Sequence, residues 1–406
     1  DKKGEILEEM PERGLAGVRA IFQGLSAYEP NYEAFGKIER HNDIGYPSVL
    51  MFTDANTEDV VSDPNGYNWN ENSLDYSDRT YTSYESQMVW NDHYNAIYVA
   101  NTVIKGYNTG EDPTNEEARF FYAQGLAARA YFYFNLAQLY QFTYKDNETK
   151  PCIPVVTDEN TAKSQVEGTP CSTVEETYTQ IKSDIDHAIT LLEGTSYERE
   201  DKRYISLAVA YGIRARVNLV MQKWADAASD AQKAIDAAAA EGVTPAGIDD
   251  VKLPTFAKST EKDWMWGILV AESDEVVQSG IVNWISHCGT FNYGYGQYSK
   301  GRQINKKLYN KIPATDVRKG WWSGEDKLNH FLPDKYNTYL KAKGFPAYTN
   351  CKFGTYDGTI GCNTNANDIV LMRVEEMYLI KAEAMAKAGQ DGKTELENFV
   401  KTYRDP

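Results

Sequence analysis

The sequence predicts a mostly α-helical protein. Helical hairpins pack as a scaffold, and long irregular loop insertions with a few short strands carry the rest. Three observations predict this. In Asn115–Tyr140, NEEARFFYAQGLAARAYFYFNLAQLY, residues Ala123, Ala127, Ala130, Phe134 and Ala137 recur at steps of four and three, which places them on one helix face. Small residues there admit a second helix at close range. Phe120, Phe121, Tyr131, Phe132 and Tyr133 cover most of the remaining circumference, so the helix is expected to be buried on nearly all sides. Second, Ile205–Ala240 reads as helix, break at Gln222-Lys223, helix. Third, two stretches, about 30–84 and 252–367, lose periodicity and fill with Gly, Asn, Asp, Ser and aromatics.

Taken in order, Pro11–Tyr28 reads as a helix with Leu15, Val18, Phe22 and Leu25 on one stripe. The irregular stretch from Pro30 to about Tyr84 follows, broken by turn chemistry at Asp63-Pro64-Asn65-Gly66. Helix is expected again over Glu85–Tyr107, then over the central segment, where Asn115 caps the start and Glu116 and Glu117 complement the helix dipole. KDNETKPCIPVVTDENT is a proline-bearing connection. Thr173-x-x-Glu176 is a capping box opening a helix to about Leu192. In Ile205–Ala240 the small residues Ala215, Ala227, Ala231 and Ala234 follow the offsets of a tetratricopeptide-like hairpin, with Asn218 and Gln222 where tyrosine and glycine are usual. Such a hairpin needs partners to cover its faces. The central helix with Tyr178–Ala188 is read as a degenerate second unit, and Asp368–Gly389 with Leu396, Val400 and Tyr403 as a third. Between them, Trp264–Ala271 reads as a strand. The domain reading is one helical domain over 1–406, with its insertions at about 30–84 and 252–367.

Composition limits the function. The chain has 29 tyrosines and 8 tryptophans among 406 residues, and a formal charge of −17. Tyr and Trp recur at binding surfaces, whereas that charge argues against nucleic acid or an anionic lipid surface. No run approaches the ~18–20 apolar residues of a membrane span. The opening at Asp1–Lys2–Lys3 is what a processed or trimmed chain would show. The five cysteines contain no CxxC pair. Cys351 and Cys362 bracket KFGTYDGTIG and would close that loop in an oxidising compartment; free thiols are the alternative, since spacing leaves connectivity open.

No catalytic pattern stands out. The five histidines, His41, His93, His187, His287 and His330, form no HxxxH or HxH, so no zinc site is expected. Phosphate-loop, nucleophile-elbow and dinucleotide motifs are absent from the sequence. No local pattern singles out a glycosidase pair among the 59 acidic residues. Asp54, Glu58, Asp59 and Asp63 could hold a structural calcium ion but lack the spacing of an EF-hand; otherwise no cofactor is expected. The loop aromatics fit two readings: local core that pins the loops, or flat faces that stack on pyranose rings while Asn, Asp and Arg meet the hydroxyls. Trp69, within YNWNENS, has no apolar neighbours in sequence and fits the second best.

The order of elements resembles the SusD/RagB family of Bacteroidetes surface glycan-binding lipoproteins. The resemblance rests on Trp90-x3-Tyr94-x2-Ile97-x2-Ala100-Asn101, on Arg129-Ala130-x2-Tyr133-x2-Leu136-x3-Tyr140, and on the link Ile153-Pro154-Val155-Val156. It continues through Val174-x3-Tyr178-x2-Ile181-x3-Ile185-x2-Ala188-Ile189, Leu308-Tyr309, Asp316-x-Arg318 and Arg373-x-Glu375-x2-Tyr378-Leu379-Ile380-x-Ala382-Glu383-Ala384. It implies a non-enzymatic, lipid-anchored protein exposed on the outer membrane, which binds oligosaccharide or polysaccharide and sits on a TonB-dependent SusC-like transporter. The anchor cysteine is absent from this chain. A further helix and an Arg/Glu-rich motif normally follow in the family, whereas this chain stops at Tyr403-Arg404-Asp405-Pro406, so a C-terminal part of the family fold is expected to be missing. By position, the resemblance points to Tyr67, Trp69 and Asn70 in the early insertion and to Tyr293, Tyr295 and Trp322 in the later one. The alternatives are a protein- or peptide-binding tetratricopeptide scaffold and, third, a glycoside hydrolase.

Overall fold

The computed structural model describes residues 2–26, 40–62, 67 and 69–406. The central helix runs Glu116–Tyr140, and the Asn115 side chain accepts from the Ala118 amide at 2.9 Å. It is buried along nearly its whole length, from Phe120 to Ala137, because its circumference offers no polar stripe for solvent. The helices Val174–Glu193, Tyr84–Tyr107 and Lys2–Gln23 pack around it. At Gly125 the neighbour comes so close that a Cβ would lie 3.1 Å from Val103 and Ile104. Arg129, in the middle of this core, is held by Asp184 (2.7 Å to each carboxylate oxygen), Asp158 (2.8 Å) and Asn101 (2.9 Å). A buried guanidinium needs such a full set of acceptors, which explains the Arg129-Ala130 and Asn101 positions of the motifs above.

The hairpin read from Ile205–Ala240 is present as Leu207–Val220 and Trp224–Ala240. Ala215, Ala227, Ala231 and Ala234 are fully buried between the two helices. Gln222, where glycine is usual, adopts φ 59°, a left-handed conformation that costs a non-glycine residue about 1 kcal/mol. The second helix packs on Val374–Lys387, which in turn packs on Gly392–Tyr403. The capping box is made in full: Thr173 Oγ1 accepts from Glu176 N at 3.1 Å, and Glu176 accepts from Thr173 N at 2.8 Å.

Several expectations need correction. The first insertion is not wholly irregular, because helix Tyr46–Asp54 and a turn of helix at Glu71–Leu74 lie within it. Tyr46–Asp54 escapes periodicity because its buried residues, Tyr46, Pro47, Ser48, Val49, Met51 and Phe52, form no repeating stripe, and Pro47 marks its start. The Asp63-Pro64-Asn65-Gly66 turn, and with it Asp63 of the acidic cluster, lies outside the described residues, as does Tyr28. The second insertion holds several short helices, of which Asp334–Lys343 buries only Leu340 and so carries no apolar stripe. The proline link forms β1 (Pro151–Pro154), antiparallel to β2 (Cys171–Thr173). The strand expected to Ala271 is β3 (Trp264–Ile268); it pairs antiparallel with β4 (Ile369–Arg373), so the third unit opens on a strand. All five cysteines are free, and Cys351 and Cys362 are buried thiols, not a disulfide.

The Arg373-x-Glu375 motif sits at the junction of β4 and the next helix. Arg373 pairs with Asp263 (3.4 Å) and Glu375 (3.6 Å), and Arg404 reaches Glu375 at 3.3 Å. Asp316 caps its own turn and pairs with Arg318 at 2.6 Å. These motif residues hold the scaffold to the second insertion.

Candidate functional site

The two insertions meet. Val61 and Gln303 exchange backbone hydrogen bonds of 2.7 Å, and Asn305 N donates to the Glu58 carbonyl at 2.7 Å. Asn42 Nδ2 donates to the Trp69 carbonyl at 2.8 Å, fixing the turn that carries Trp69. On the later insertion, Tyr295 follows Gly294, where a Cβ would lie 2.5 Å from the Ser286 Cα; only glycine fits so close an approach.

This brings four of the six sequence-selected residues into one aromatic platform. Tyr295 is its buried base, 6% exposed. Trp69 stands edge-on to it at 5.9 Å and 70°. His287 stacks on Tyr295 at 5.0 Å and 18°, and His41 Nδ1 hydrogen-bonds the same hydroxyl. His287 Nε2 donates to the His41 carbonyl at 2.7 Å. Burial pushes the His287 pKa down to about 3, so its ring is neutral. Tyr67 lies 6.3 Å from Tyr295 and 5.3 Å from Tyr298, and Tyr293 meets Tyr298 edge-on at 6.4 Å. Tyr67, Tyr298 and Tyr293 are 52%, 50% and 41% exposed. A polar-tipped aromatic surface is thereby held rigidly at the solvent boundary.

Asn70 and Trp322 are not part of the platform. Asn70 is buried, and both residues line a cleft of about 270 Å³ with Asp54, Asp59, Trp284 and Lys352. Phe256 and Phe353 add to its apolar wall. Helix Trp284–Cys288 separates the two features: Trp284 and Cys288 line the cleft, while His287 supports the platform. Phe256 is held at φ 60°, a strained conformation for a bulky residue. It stands edge-on to Trp321 at 5.5 Å, and Lys352 Nζ lies 4.7 Å from its ring. Burial, then the charge of Arg373, lowers the Lys352 pKa to about 8, against the opposing pull of Asp54 and Asp59. Desolvation raises Asp54 to about 6, and Lys352 partly offsets it. Mixed aromatic walls with a few charged and amide groups suit a small polar ligand.

Among the described residues, no group of three or more His, Cys, Asp or Glu is placed to hold a metal, and no helix is long and apolar enough to cross a membrane. Lys352, Phe256 and Phe353 escaped the sequence reading, because nothing in CKFG or PTFA marks a cleft wall. In the sequence Asp54 and Asp59 stand out only as calcium candidates.

Residues 45–219 match a SusD-like family described as "Starch-binding associating with outer membrane". That stretch of the chain is similar to the SusD-like family. Its fold is similar to that of a SusD-like carbohydrate-binding protein from Bacteroides vulgatus ATCC 8482, with TM-score 0.76 and 22% identity over 98% of this chain and 76% of that one. It is also similar to a laminarin-binding SusD-like protein (TM-score 0.60, 16% identity, 98% and 85% covered). A third similar fold is that of surface glycan-binding protein A from Bacteroides fluxus (TM-score 0.63, 14% identity, 96% and 80% covered). Identities this low speak for a shared fold. No curated protein matches the sequence.

Proposed function

We propose that this SusD-like protein captures oligosaccharide or polysaccharide at the cell surface and delivers it to a TonB-dependent SusC-like transporter, without catalysis. An N-terminal lipid anchor would hold it to the outer membrane. One observation carries the reading: the cleft joins the flat faces of Trp284 and Trp322 to Asp54, Asp59, Asn70 and Lys352. Aromatic faces complement the C–H faces of a pyranose, while carboxylates, amide and ammonium satisfy its hydroxyls. The neighbouring platform of Tyr67, Trp69, Tyr293 and Tyr295 offers a second contact for a longer chain. The laminarin-binding and glycan-binding proteins of similar fold support the same class of ligand.

The scaffold alternative has less support. The alanine faces of the Leu207–Ala240 hairpin are spent on its own packing, which leaves the small-residue stripe unavailable to a peptide. The test is an affinity-gel screen of plant, host and microbial polysaccharides, with tryptophan fluorescence on each hit. The expected result is retardation by at least one glycan with a change in emission, and loss of both in Trp322→Ala at unchanged melting temperature. A chain silent toward every glycan, or a Trp322→Ala variant that binds as wild type, would overturn the assignment of ligand to this cleft.

A further inference from the structure

Lys352 is unusual among the cleft's charged groups. Its ammonium lies between three rings, 4.7 Å from Phe256, 5.0 Å from Trp321 and 5.6 Å from Phe353. Among the described residues, no carboxylate approaches it within 4.0 Å. Arg373, on β4, lies 4.9 Å from the Phe256 ring, but Asp263 and Glu375 neutralise it. Lys352 is therefore a caged cation whose hydrogen-bonding capacity is turned to the cleft. Asp54 from the end of helix Tyr46–Asp54 and Asp59 from the loop beyond it face the same space.

We propose that Lys352 is the specificity-determining donor of the cleft and that, with Asp54 and Asp59, it selects a neutral sugar residue over a uronate or sulfated one. The inference rests on the glycan-binding reading above and names its substrate class. A hydroxyl or ring oxygen that accepts from Lys352 gains a charge-assisted hydrogen bond without repulsion. A sugar carboxylate in the same place would gain from Lys352 but stand in the field of the two aspartates, which offsets that gain. The chain's formal charge of −17 adds a long-range barrier to polyanionic glycans. The cleft volume of about 270 Å³ lies just below the roughly 300–1,000 Å³ of small-molecule sites, which suits a single sugar residue.

The test uses the neutral glycan identified by the screen and the same glycan oxidised at its primary alcohols to uronate, titrated calorimetrically against the whole chain. We expect the oxidised form to bind at least about tenfold more weakly, and Asp54→Asn/Asp59→Asn to narrow that gap. Lys352→Met should lose about tenfold or more toward the neutral glycan, the scale of one hydrogen bond to a charged group. Wild-type affinity should fall above about pH 8 as the ammonium loses its proton, and Lys352→Arg should remove that limb. Asp54, Asp59 and Arg373 also face the ammonium; of the groups around it, Asp54 is raised to about 6 and Cys288 on the cleft wall is pushed up to about 11, both away from this limb. Equal or tighter binding of the oxidised glycan, or wild-type affinity in Lys352→Met, overturns the inference while glycan binding stands. A wild-type chain that binds neither form removes both readings.

Discussion

Arg129→Met is the sharpest test of how the scaffold is held. The substitution keeps most of the side-chain length but removes the guanidinium from Asp184, Asp158 and Asn101, which it contacts at 2.7 to 2.9 Å. Arg129 and Asp184 are almost wholly buried, so the aspartates are left without a counter-charge in a medium that solvates them poorly. Removing one partner of a buried pair costs about 3–5 kcal/mol. At roughly 2.1 cal/mol/K per residue, unfolding 406 residues carries an entropy near 0.85 kcal/mol/K. The expected fall in melting temperature is thus about 4–6 °C, read by calorimetry at pH 7. Glycan affinity should not move, because none of these residues lines the cleft. Replacing Asp184 as well, with Leu, should recover part of the loss, since the stranded charge carries much of the cost. A shift under 1 °C, or lost binding at an unchanged melting temperature, would refute this account of Arg129.

Other expectations follow from single residues. Tyr67→Ala and Tyr298→Ala remove exposed faces of the platform, so each should weaken long-chain glycan binding about threefold or more at nearly constant melting temperature; titration with chains of increasing length would reveal the opposite. His287 stays neutral when folded, with a pKa of about 3, but binds a proton near pH 6.5 when unfolded. The unfolded state therefore gains protons as pH falls below 6.5, and stability drops by about 2 kcal/mol at pH 5 from this residue alone. His287→Gln should lessen the fall in melting temperature between pH 7 and pH 5; an unchanged slope would remove His287 as its source. Cys171 is exposed, whereas Cys351 is buried and burial pushes its thiol up to about 12. Alkylation of the native chain should mark Cys171 first and Cys351 only after unfolding, and mass spectrometry that found Cys351 linked to Cys362 would contradict the free thiols.

Much of the scaffold was legible in the chain itself. Helix faces repeat every three to four residues, so Ala123 to Ala137, the Thr173–Glu176 cap and the alanines from Ala215 to Ala234 declare their elements locally. Tyr46–Asp54 and Asp334–Lys343 did not, because one buries six residues in no repeating stripe and the other buries only Leu340. Periodicity needs contrast between two faces, and neither helix has it.

The binding region divides in the same way. Local composition marked Trp69 as an aromatic without apolar neighbours, the family resemblance added Tyr67, Tyr293 and Tyr295 by position, and the four meet in one platform. No local rule could pair Asn70 with Trp322, or enclose Lys352 between Phe256, Trp321 and Phe353. Those residues come from segments up to about 280 positions apart, and each is unremarkable among its sequence neighbours. Which segments are helical beams and which stretches are rich in aromatic and polar groups can be read along the chain, since both follow from short-range spacing. Which of those groups share a cleft is settled by packing, because burial, cation–aromatic contact and a lowered ammonium pKa exist only once distant segments are brought together.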